Sequence, residues 1–182
     1  MIWLHTFPAG GIDIEHVRPA DIEIVDIARS LAATARFRGQ THWQGRWRLY
    51  TVAEHCVVVS RLLDAIDEKR WGLLHDVAEA YLQDVVRPIR RLALSPWFFE
   101  AEARIERACA ERFGLAPFEG SLRCRVEAAD QNALESEIEH LTPIPMEESR
   151  KDKANYWQEH PPQDAVCACE LFMGWARELG LR

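Results

Sequence analysis

The residues with the clearest chemical potential lie together in the segment LLHDVAEAYLQD, residues 73–84. His75, Asp76, Glu79 and Asp84 stand on or beside the apolar positions of a segment whose periodicity predicts a helix. Burying an unpaired carboxylate is costly, and such a group shifts its pKa rather than stay charged. A divalent cation with imidazole and carboxylate ligands would remove that cost. The segment therefore points to a metal site.

The helical period predicts that three of these side chains share one surface. With a turn of about 100° per residue, Asp76 lies at about 100° and Glu79 at about 40° from His75. Glu79 is one turn further along and projects between the other two. A carboxylate in that position could act on a water molecule next to a bound cation.

Two further polar residues occupy positions that periodicity assigns to the core. His55 falls in the apolar stripe of a helix that begins after Thr51, and Asp130 falls in that of a later helix. A buried histidine by itself is usually satisfied by hydrogen bonds, whereas a buried aspartate is rarely without a partner. One divalent cation would satisfy both residues together with the His75-Asp76 pair.

The order H…HD…D over three predicted helices resembles the HD superfamily of metal-dependent phosphohydrolases. The segments DIARSLAATARFRG, YTVAEHCVVVSRLL, GLLHDVAEAYLQDVVRPIRRL and EAADQ are similar to its small bacterial 5′-deoxynucleotidase branch. The resemblance covers roughly residues 20–140. Small phage-encoded dATP triphosphohydrolases resemble the same branch and have a similar length.

The resemblance implies a role for each matching position. The implied metal ligands are His55, His75, Asp76 and Asp130. Glu79 would handle the attacking water, and Asp84 would act near the phosphate or the leaving oxygen. Arg36 would grip the phosphate. Phe37 stands where the family often has a tryptophan packed on the sugar, so it could stack but offers no indole N–H.

The implied chemistry is hydrolysis of a phosphate ester, which needs a nucleophilic water and a neutralised phosphoryl oxygen. A divalent cation lowers the pKa of bound water from about 15.7 toward 7 and polarises the phosphoryl group. One ion of Co, Mn, Zn or Fe suits mixed nitrogen and oxygen ligands, and Mg is also compatible.

An anionic substrate also requires positive side chains. Residues 36–48, RFRGQTHWQGRWR, contain four arginines and no acid. Arginine pairs bidentately with phosphate. We assign this task to Arg36, because the resemblance implies a phosphate-binding arginine at that position, and interpret the other three as a solvated basic loop. Three further arginines, in the segment 87–91, could reach a longer phosphate chain or cap the preceding helix end.

The pattern of the whole chain predicts an all-α fold that positions these residues. We expect one domain over 1–182, a compact bundle of about six helices. The predicted helices are 21–35, 51–66, 68–84, 95–114, 121–141 and 163–179. The predicted N-caps are Asp21, Thr51 (in a capping box with Glu54) and Ser95 (before a proline), and Gly114 is the predicted end of its helix. Residues 2–14 predict a short N-terminal β-hairpin around a Pro-Ala-Gly-Gly turn. The polar stretch 142–162 predicts a long loop.

Composition limits the possible functions. The chain has 182 residues, 48% of them hydrophobic, and a net charge of -7, which argues against broad or stable nucleic-acid binding. No apolar run reaches the roughly 18 residues of a membrane span, and the N-terminus lacks signal-peptide features. We therefore expect a cytoplasmic protein without a membrane partner. Relatives in the resembling family commonly self-associate, so we also expect a homo-oligomer.

The sequence thus predicts a divalent-metal-dependent nucleotide phosphohydrolase. The preferred reaction releases phosphate from a deoxyribonucleoside 5′-monophosphate. The rival reaction releases triphosphate from a dNTP such as dATP. Two other classes are a catalytically weak nucleotide-binding HD module, which the presence of Glu79 and Asp84 disfavours, and a basic-loop RNA binder, which the net charge of -7 disfavours.

Overall fold

The computed structural model describes residues 3–6, 10–83, 85, 95–143, 157–158 and 160–182. Within these ranges the chain forms six helices of nine or more residues and a one-turn helix. The helices are α1 (Ile24–Ala33), α2 (Val52–Arg61), α3 (Ile66–Leu74), α4 (Glu79–Leu82), α5 (Pro96–Phe113), α6 (Gly120–Leu141) and α7 (Ala165–Glu178). The predicted all-α fold of about six helices is confirmed.

Two short hairpins accompany the helices. Strands β1 (Trp3–Leu4) and β2 (Ile12–Asp13) pair antiparallel, which confirms the predicted N-terminal hairpin; part of its turn, 7–9, lies outside the described residues. Strands β3 (His42–Trp43) and β4 (Arg46–Trp47) form a second antiparallel pair that the sequence did not predict.

Helix α2 begins as the local sequence predicts. Its N-cap residue Thr51 accepts a hydrogen bond from the Glu54 N–H at 3.3 Å, and Glu54 Oε2 accepts from the Thr51 N–H at 2.9 Å. This reciprocal capping box satisfies two backbone donors at the helix start. The helix ends at Arg61, earlier than the predicted end at 66.

The start of α1 differs from the prediction. Asp21 does not cap the helix but pairs with Arg18, where its Oδ1 accepts from Nη2 at 2.6 Å and closes a short 3-10 turn. The N-cap residue of α1 is Glu23. At α5 the prediction is confirmed, because Ser95 precedes a proline at the first position and Gly114, with φ 63°, ends the helix.

The predicted continuous helix over 68–84 is broken in the middle. Helix α3 ends at Leu74, residues 75–78 form a turn, and α4 starts at Glu79. Through this turn the amides of Val77 and Glu79 bond to carbonyls three residues back, at 2.9 Å each. Such bonds tighten the backbone relative to an α-helix. The helical-wheel angles expected for this segment therefore hold only in part.

Helix α2 lies at the centre of the fold. Its residues from Val52 to Ser60 are all buried, and α1, α3, α6 and α7 all pack against it. A residue on α2 is therefore held on all sides by other elements. Among the residues that the structure describes, no helix combines the length and apolar character needed to cross a membrane.

A glycine allows α3 to approach α2 closely. A Cβ atom at Gly72 would lie 2.8 Å from Ser60 Cα and 2.6 Å from Leu63 Cδ1, which real side chains do not tolerate. In addition, Ser60 Oγ donates to the Lys69 carbonyl at 2.6 Å. This contact fixes the distance between the middle of α2 and the end of α3.

A small second core supports the start of α2 from the other side. Trp157 is 1% exposed, and its ring meets that of Tyr50 edge-on, with centroids 5.6 Å apart. The indole Nε1 donates to Ser136 Oγ at 2.9 Å. Of the predicted loop over 142–162, residues 144–156 and 159 lie outside the described residues.

Candidate metal centre

Three of the four predicted metal ligands form one compact group. His55 comes from the middle of α2, and His75 and Asp76 come from the turn after α3; one ligand atom of each lies within 4.8 Å of the others. Asp76 Oδ2 is 3.3 Å from His75 Nε2 and 3.8 Å from His55 Nε2. The two imidazole rings are tilted by 58°, with centroids 5.2 Å apart.

The fourth predicted ligand reaches the group from α6. Asp130 Oδ1 lies 3.1 Å from His55 Nε2. The Asp130 and Asp76 side chains are each 19% exposed, whereas the His55 side chain is fully buried. Side chains separated by up to 75 positions in the sequence therefore lie next to one another.

The orientation of both imidazoles fits a metal site. His75 Nδ1 lies 2.8 Å from the Gly72 carbonyl, and His55 Nδ1 lies 2.6 Å from Glu137 Oε1. Both Nε2 atoms are buried and have no hydrogen-bond partner in the described part of the chain, although Asp130 is near one of them. Buried polar atoms rarely stay unpaired, and metal-ligating histidines commonly donate their other nitrogen to a carbonyl or carboxylate.

The sequence did not predict Glu137, which contacts His55 directly. Its carboxylate is completely buried in α6. The Oε1 atom accepts from His55 and from the Tyr50 hydroxyl at 3.0 Å, and the Oε2 atom accepts from Arg36 Nε at 3.0 Å and Nη2 at 2.8 Å. One carboxylate thus joins the metal group to the residue expected to grip phosphate.

A signal for Glu137 was present in the sequence. It follows Asp130 by seven residues, or about two helical turns, so both project from the same face of α6. The apolar stripe that periodicity predicts for this helix, Val126, Ala133, Leu134 and Ile138 with Asp130 among them, does not include Glu137. In the structure Glu137 is the buried member of that pair, and Ile138 is only half-buried.

The electrostatics of the group are dominated by buried opposite charges. Burial and Arg36 lower the pKa of His55, but the carboxylates of Glu137 and Asp130 outweigh them and raise it to about 9. Burial raises the pKa of Glu137, yet Arg36 and His55 bring it down to about 2. Burial likewise raises the pKa of Asp130, but its histidine and arginine neighbours hold it well below the usual range. Anionic carboxylates therefore face this site and favour a cation.

The predicted substrate residues lie on a tight turn beside the metal group. These residues belong to the 3-10 turn Arg36–Gly39. The backbone N–H of Arg36 donates to the Tyr50 carbonyl at 2.9 Å, which connects this turn to the start of α2. Phe37 and Arg38 adopt left-handed backbone conformations, with φ values of 50° and 55°. Such conformations cost of order 1–3 kcal/mol each and concentrate at functional sites. The Arg36 guanidinium lies 5.5 Å from the centre of the Phe37 ring.

A cavity of about 650 Å³ opens onto the metal group. The predicted site residues that line it are Arg36, Phe37, His75, Asp76, Glu79 and Asp130. The opposite wall comes from α5, α6 and the loop between them. Asp84 and the basic segment 87–91 lie outside the described residues, so their predicted roles stay predictions.

Two known proteins are similar to this chain over most of its length. It is 34% identical to an uncharacterized protein of Rhodobacter capsulatus over 146 residues, which cover 76% of this chain and 72% of the relative. It is 30% identical to the uncharacterized protein YfdR of Escherichia coli over 172 residues, or 94% of this chain and 84% of the relative. The chain belongs to the family of these two proteins.

That membership carries no activity with it, because neither relative's name states one. The chain matches no protein-family model. Its function is therefore argued from the site itself.

Proposed function

We propose that this protein is a divalent-metal-dependent phosphohydrolase of the HD superfamily that releases phosphate from deoxyribonucleoside 5′-monophosphates. The observation that carries the proposal is the pair of buried Nε2 atoms on His55 and His75, next to the Asp76 carboxylate, for which the described residues provide no hydrogen-bond partner. Two imidazoles and carboxylate oxygens form a donor set that suits a divalent transition metal.

The chain supplies the ligands and leaves the cation accessible from the cavity. The residues that would hold it are His55, His75, Asp76 and Asp130. When bound, such an ion polarises a phosphoryl oxygen and makes a water molecule nucleophilic near neutral pH. His75 and both aspartates line the cavity wall, whereas His55 lies behind them, completely buried.

Glu79 is suited to handle the proton of the attacking water. It lines the same cavity as His75 and Asp76 and comes from the first residue of α4, just after the ligand turn. A carboxylate in this position can accept a proton from water and return it to the leaving oxygen. The proposed assistance of Asp84 at the leaving oxygen rests on the sequence alone.

Arg36 is suited to bind the phosphate of the substrate. Its side chain is 15% exposed and lines the cavity. Two of its N–H groups, on Nε and Nη2, are directed at Glu137. A guanidinium has five N–H donors, so others can serve a phosphate oxygen while Glu137 holds the group in place.

The cavity also has apolar lining residues of the kind that a nucleoside would contact. They are Phe37, Phe99, Phe118 and Val126. The Phe118 ring stacks on Trp71 at 4.6 Å, which makes this wall rigid. Small-molecule cavities usually measure 300–1,000 Å³, and this one is of a size to hold a mononucleotide.

The charges on the described cavity wall favour a monophosphate over a triphosphate. Its two arginines already face carboxylates, Arg36 with Glu137 and Arg123 with Glu106 at 2.7 Å. A triphosphate carries more negative charge and would need further cations. The basic segment 87–91 could provide them, which keeps dNTP triphosphate hydrolysis as the alternative reaction.

A substrate panel with product identification tests the proposal. After its metal content is measured, the purified chain is incubated with dAMP and with dATP in the presence of Mn²⁺ or Co²⁺. We expect inorganic phosphate from dAMP, with Asp76→Ala giving the background rate. Triphosphate released from dATP would instead establish the alternative. Tight nucleotide binding without turnover of either compound would identify a binding module and contradict the proposal.

A further inference from the structure

We propose that Glu137 is a positioning residue whose single buried carboxylate fixes His55 as a metal ligand and holds Arg36 at the wall of the same cavity. This inference rests on the proposed function, since it assumes that a cation binds at His55 Nε2. It adds a residue that the family resemblance did not point to.

The contact with His55 determines which imidazole nitrogen can bind a cation. Glu137 Oε1 lies 2.6 Å from His55 Nδ1, so this nitrogen carries the proton and donates a hydrogen bond to the carboxylate. The Nε2 atom is then the one directed at Asp76 and Asp130, at 3.8 Å and 3.1 Å. A carboxylate on the second nitrogen of a ligating histidine also fixes the ring orientation and raises its basicity.

The contact with Arg36 uses the other oxygen of the same carboxylate. Oε2 accepts from both Nε and Nη2, which gives the guanidinium a fixed plane beside the cavity. Without this partner the largely buried Arg36 guanidinium would lose its ion pair, and breaking a buried ion pair is strongly destabilising. The metal group and the expected phosphate contact therefore share one support.

Aromatic residues hold the Glu137 carboxylate in place. The Tyr50 hydroxyl donates to Oε1 at 3.0 Å, and Tyr50 packs edge-on against Trp157. Trp157 is bonded to Ser136, the residue before Glu137. All these side chains are buried, so the carboxylate has little room to move.

Metal titration of the full metal-free chain tests the role of Glu137. The variant Glu137→Gln keeps the size of the side chain but removes its charge and places an NH₂ group among donors. We expect its affinity for Mn²⁺, measured by calorimetry, to fall by about 10- to 100-fold. The matched control Glu135→Gln makes the same change on the same helix, where Glu135 faces Gln131, and should bind Mn²⁺ like the parent.

A second comparison keeps the test decisive if Glu137→Gln does not fold. The double variant Arg36→Met/Glu137→Gln removes both buried charges together, a change that buried ion pairs often tolerate. Its Mn²⁺ affinity should be lower than that of Arg36→Met alone. Thermal melting of the metal-free variants gives a separate readout, because a purely structural role would lower the melting temperature and leave the affinity of the folded chain unchanged.

The outcomes separate this inference from the proposed function. If the parent binds Mn²⁺ no better than Asp76→Ala, the metal centre and this inference fail together. The metal centre stands if the parent binds Mn²⁺ and Asp76→Ala does not. The positioning role is then wrong if folded Glu137→Gln binds Mn²⁺ as tightly as the parent. Where Glu137→Gln does not fold, the role is wrong if the double variant binds Mn²⁺ as tightly as Arg36→Met.

Discussion

Asp76 and Glu79 are three residues apart, yet their surroundings give them different tasks. Asp76 Oδ2 lies within 3.8 Å of both imidazole Nε2 atoms, so it belongs to the group that would hold a cation. Glu79 lines the cavity next to that group without being part of it. Loss of the Asp76 carboxylate should therefore lower the metal content, whereas loss of the Glu79 carboxylate should affect only the proton transfer.

Substitution of these two acids should therefore separate metal binding from turnover. We expect Asp76→Ala to lose both. Glu79→Gln should keep its metal and lose about 10²- to 10⁴-fold in turnover, the usual contribution of a general acid or base. Metal analysis after dialysis and phosphate release from dAMP measure the two properties. A Glu79→Gln variant with the parent rate would contradict the assigned role.

Residue types and spacing predicted that His55, His75, Asp76 and Asp130 lie together, and the family resemblance added Arg36 and Phe37. The four proposed ligands, Glu79, Arg36 and Phe37 all lie at one group or cavity. Glu137 was missed because its partners, His55 and Arg36, are 82 and 101 positions away in the sequence. The spacing of seven residues places Glu137 on the same face of α6 as Asp130, but it does not identify the distant residues that Glu137 contacts.

At the scale of elements, the contact between α2 and α3 positions His55 relative to the turn that carries His75 and Asp76. Gly72 makes this contact possible, since a Cβ there would overlap Ser60 Cα. Its carbonyl also accepts from His75 Nδ1. Replacing a helical glycine by alanine usually raises the free energy of unfolding. At Gly72 the overlap with Ser60 opposes this gain, so packing determines whether Gly72→Ala stabilises or destabilises the protein.

We expect Gly72→Ala to destabilise the protein by about 1–3 kcal/mol, the usual cost of overpacking. The matched control is Gly174→Ala on α7, where a Cβ would meet nothing within 4 Å. That change should raise the free energy of unfolding by up to about 1 kcal/mol. Urea unfolding of both variants measures the difference. Equal effects in the two variants would show that α2 and α3 do not depend on this close contact.

The small core around Trp157 stabilises the start of α2 through Tyr50. We expect Trp157→Ala to cost about 3–5 kcal/mol, as for other buried aromatic residues. Trp47→Ala should cost only about 0.5–1.5 kcal/mol, because Trp47 is 70% exposed and loses a single hydrogen bond, from its indole N–H to the Gly39 carbonyl. Thermal unfolding compares the two variants. A cost for Trp157→Ala as small as that for Trp47→Ala would mean that this second core is dispensable.

Local sequence signals predicted helix ends well where the cap chemistry is local. Thr51 with Glu54 and Ser95 with its following proline mark real starts, and Gly114 marks a real end. The break at 75–78 was missed because the apolar period of 68–84 continues through it. Periodicity predicts which side chains face the core. It does not predict whether a backbone N–H bonds to the carbonyl three or four residues earlier in the chain.

At the scale of the molecule, the proposed centre connects parts of the chain that are distant in sequence. Its ligands come from the central helix α2, from the turn between α3 and α4, and from α6. The chain as a whole carries a net charge of -7, and carboxylates are concentrated at this point. A cation would therefore offset local repulsion and link three elements at once. The expected homo-oligomer and cytoplasmic location stay predictions.

Metal binding should accordingly stabilise the whole fold. A ligand that binds only the folded state at 100 times its dissociation constant adds about 2.7 kcal/mol to the free energy of unfolding. We expect an increase of this size when Mn²⁺ is added to the metal-free protein, and its loss after chelation with EDTA. Asp76→Ala should show no increase, because it lacks the carboxylate that contacts both imidazoles. An equal increase in Asp76→Ala would place the stabilising cation elsewhere on the protein and remove the link between the four ligands and the fold.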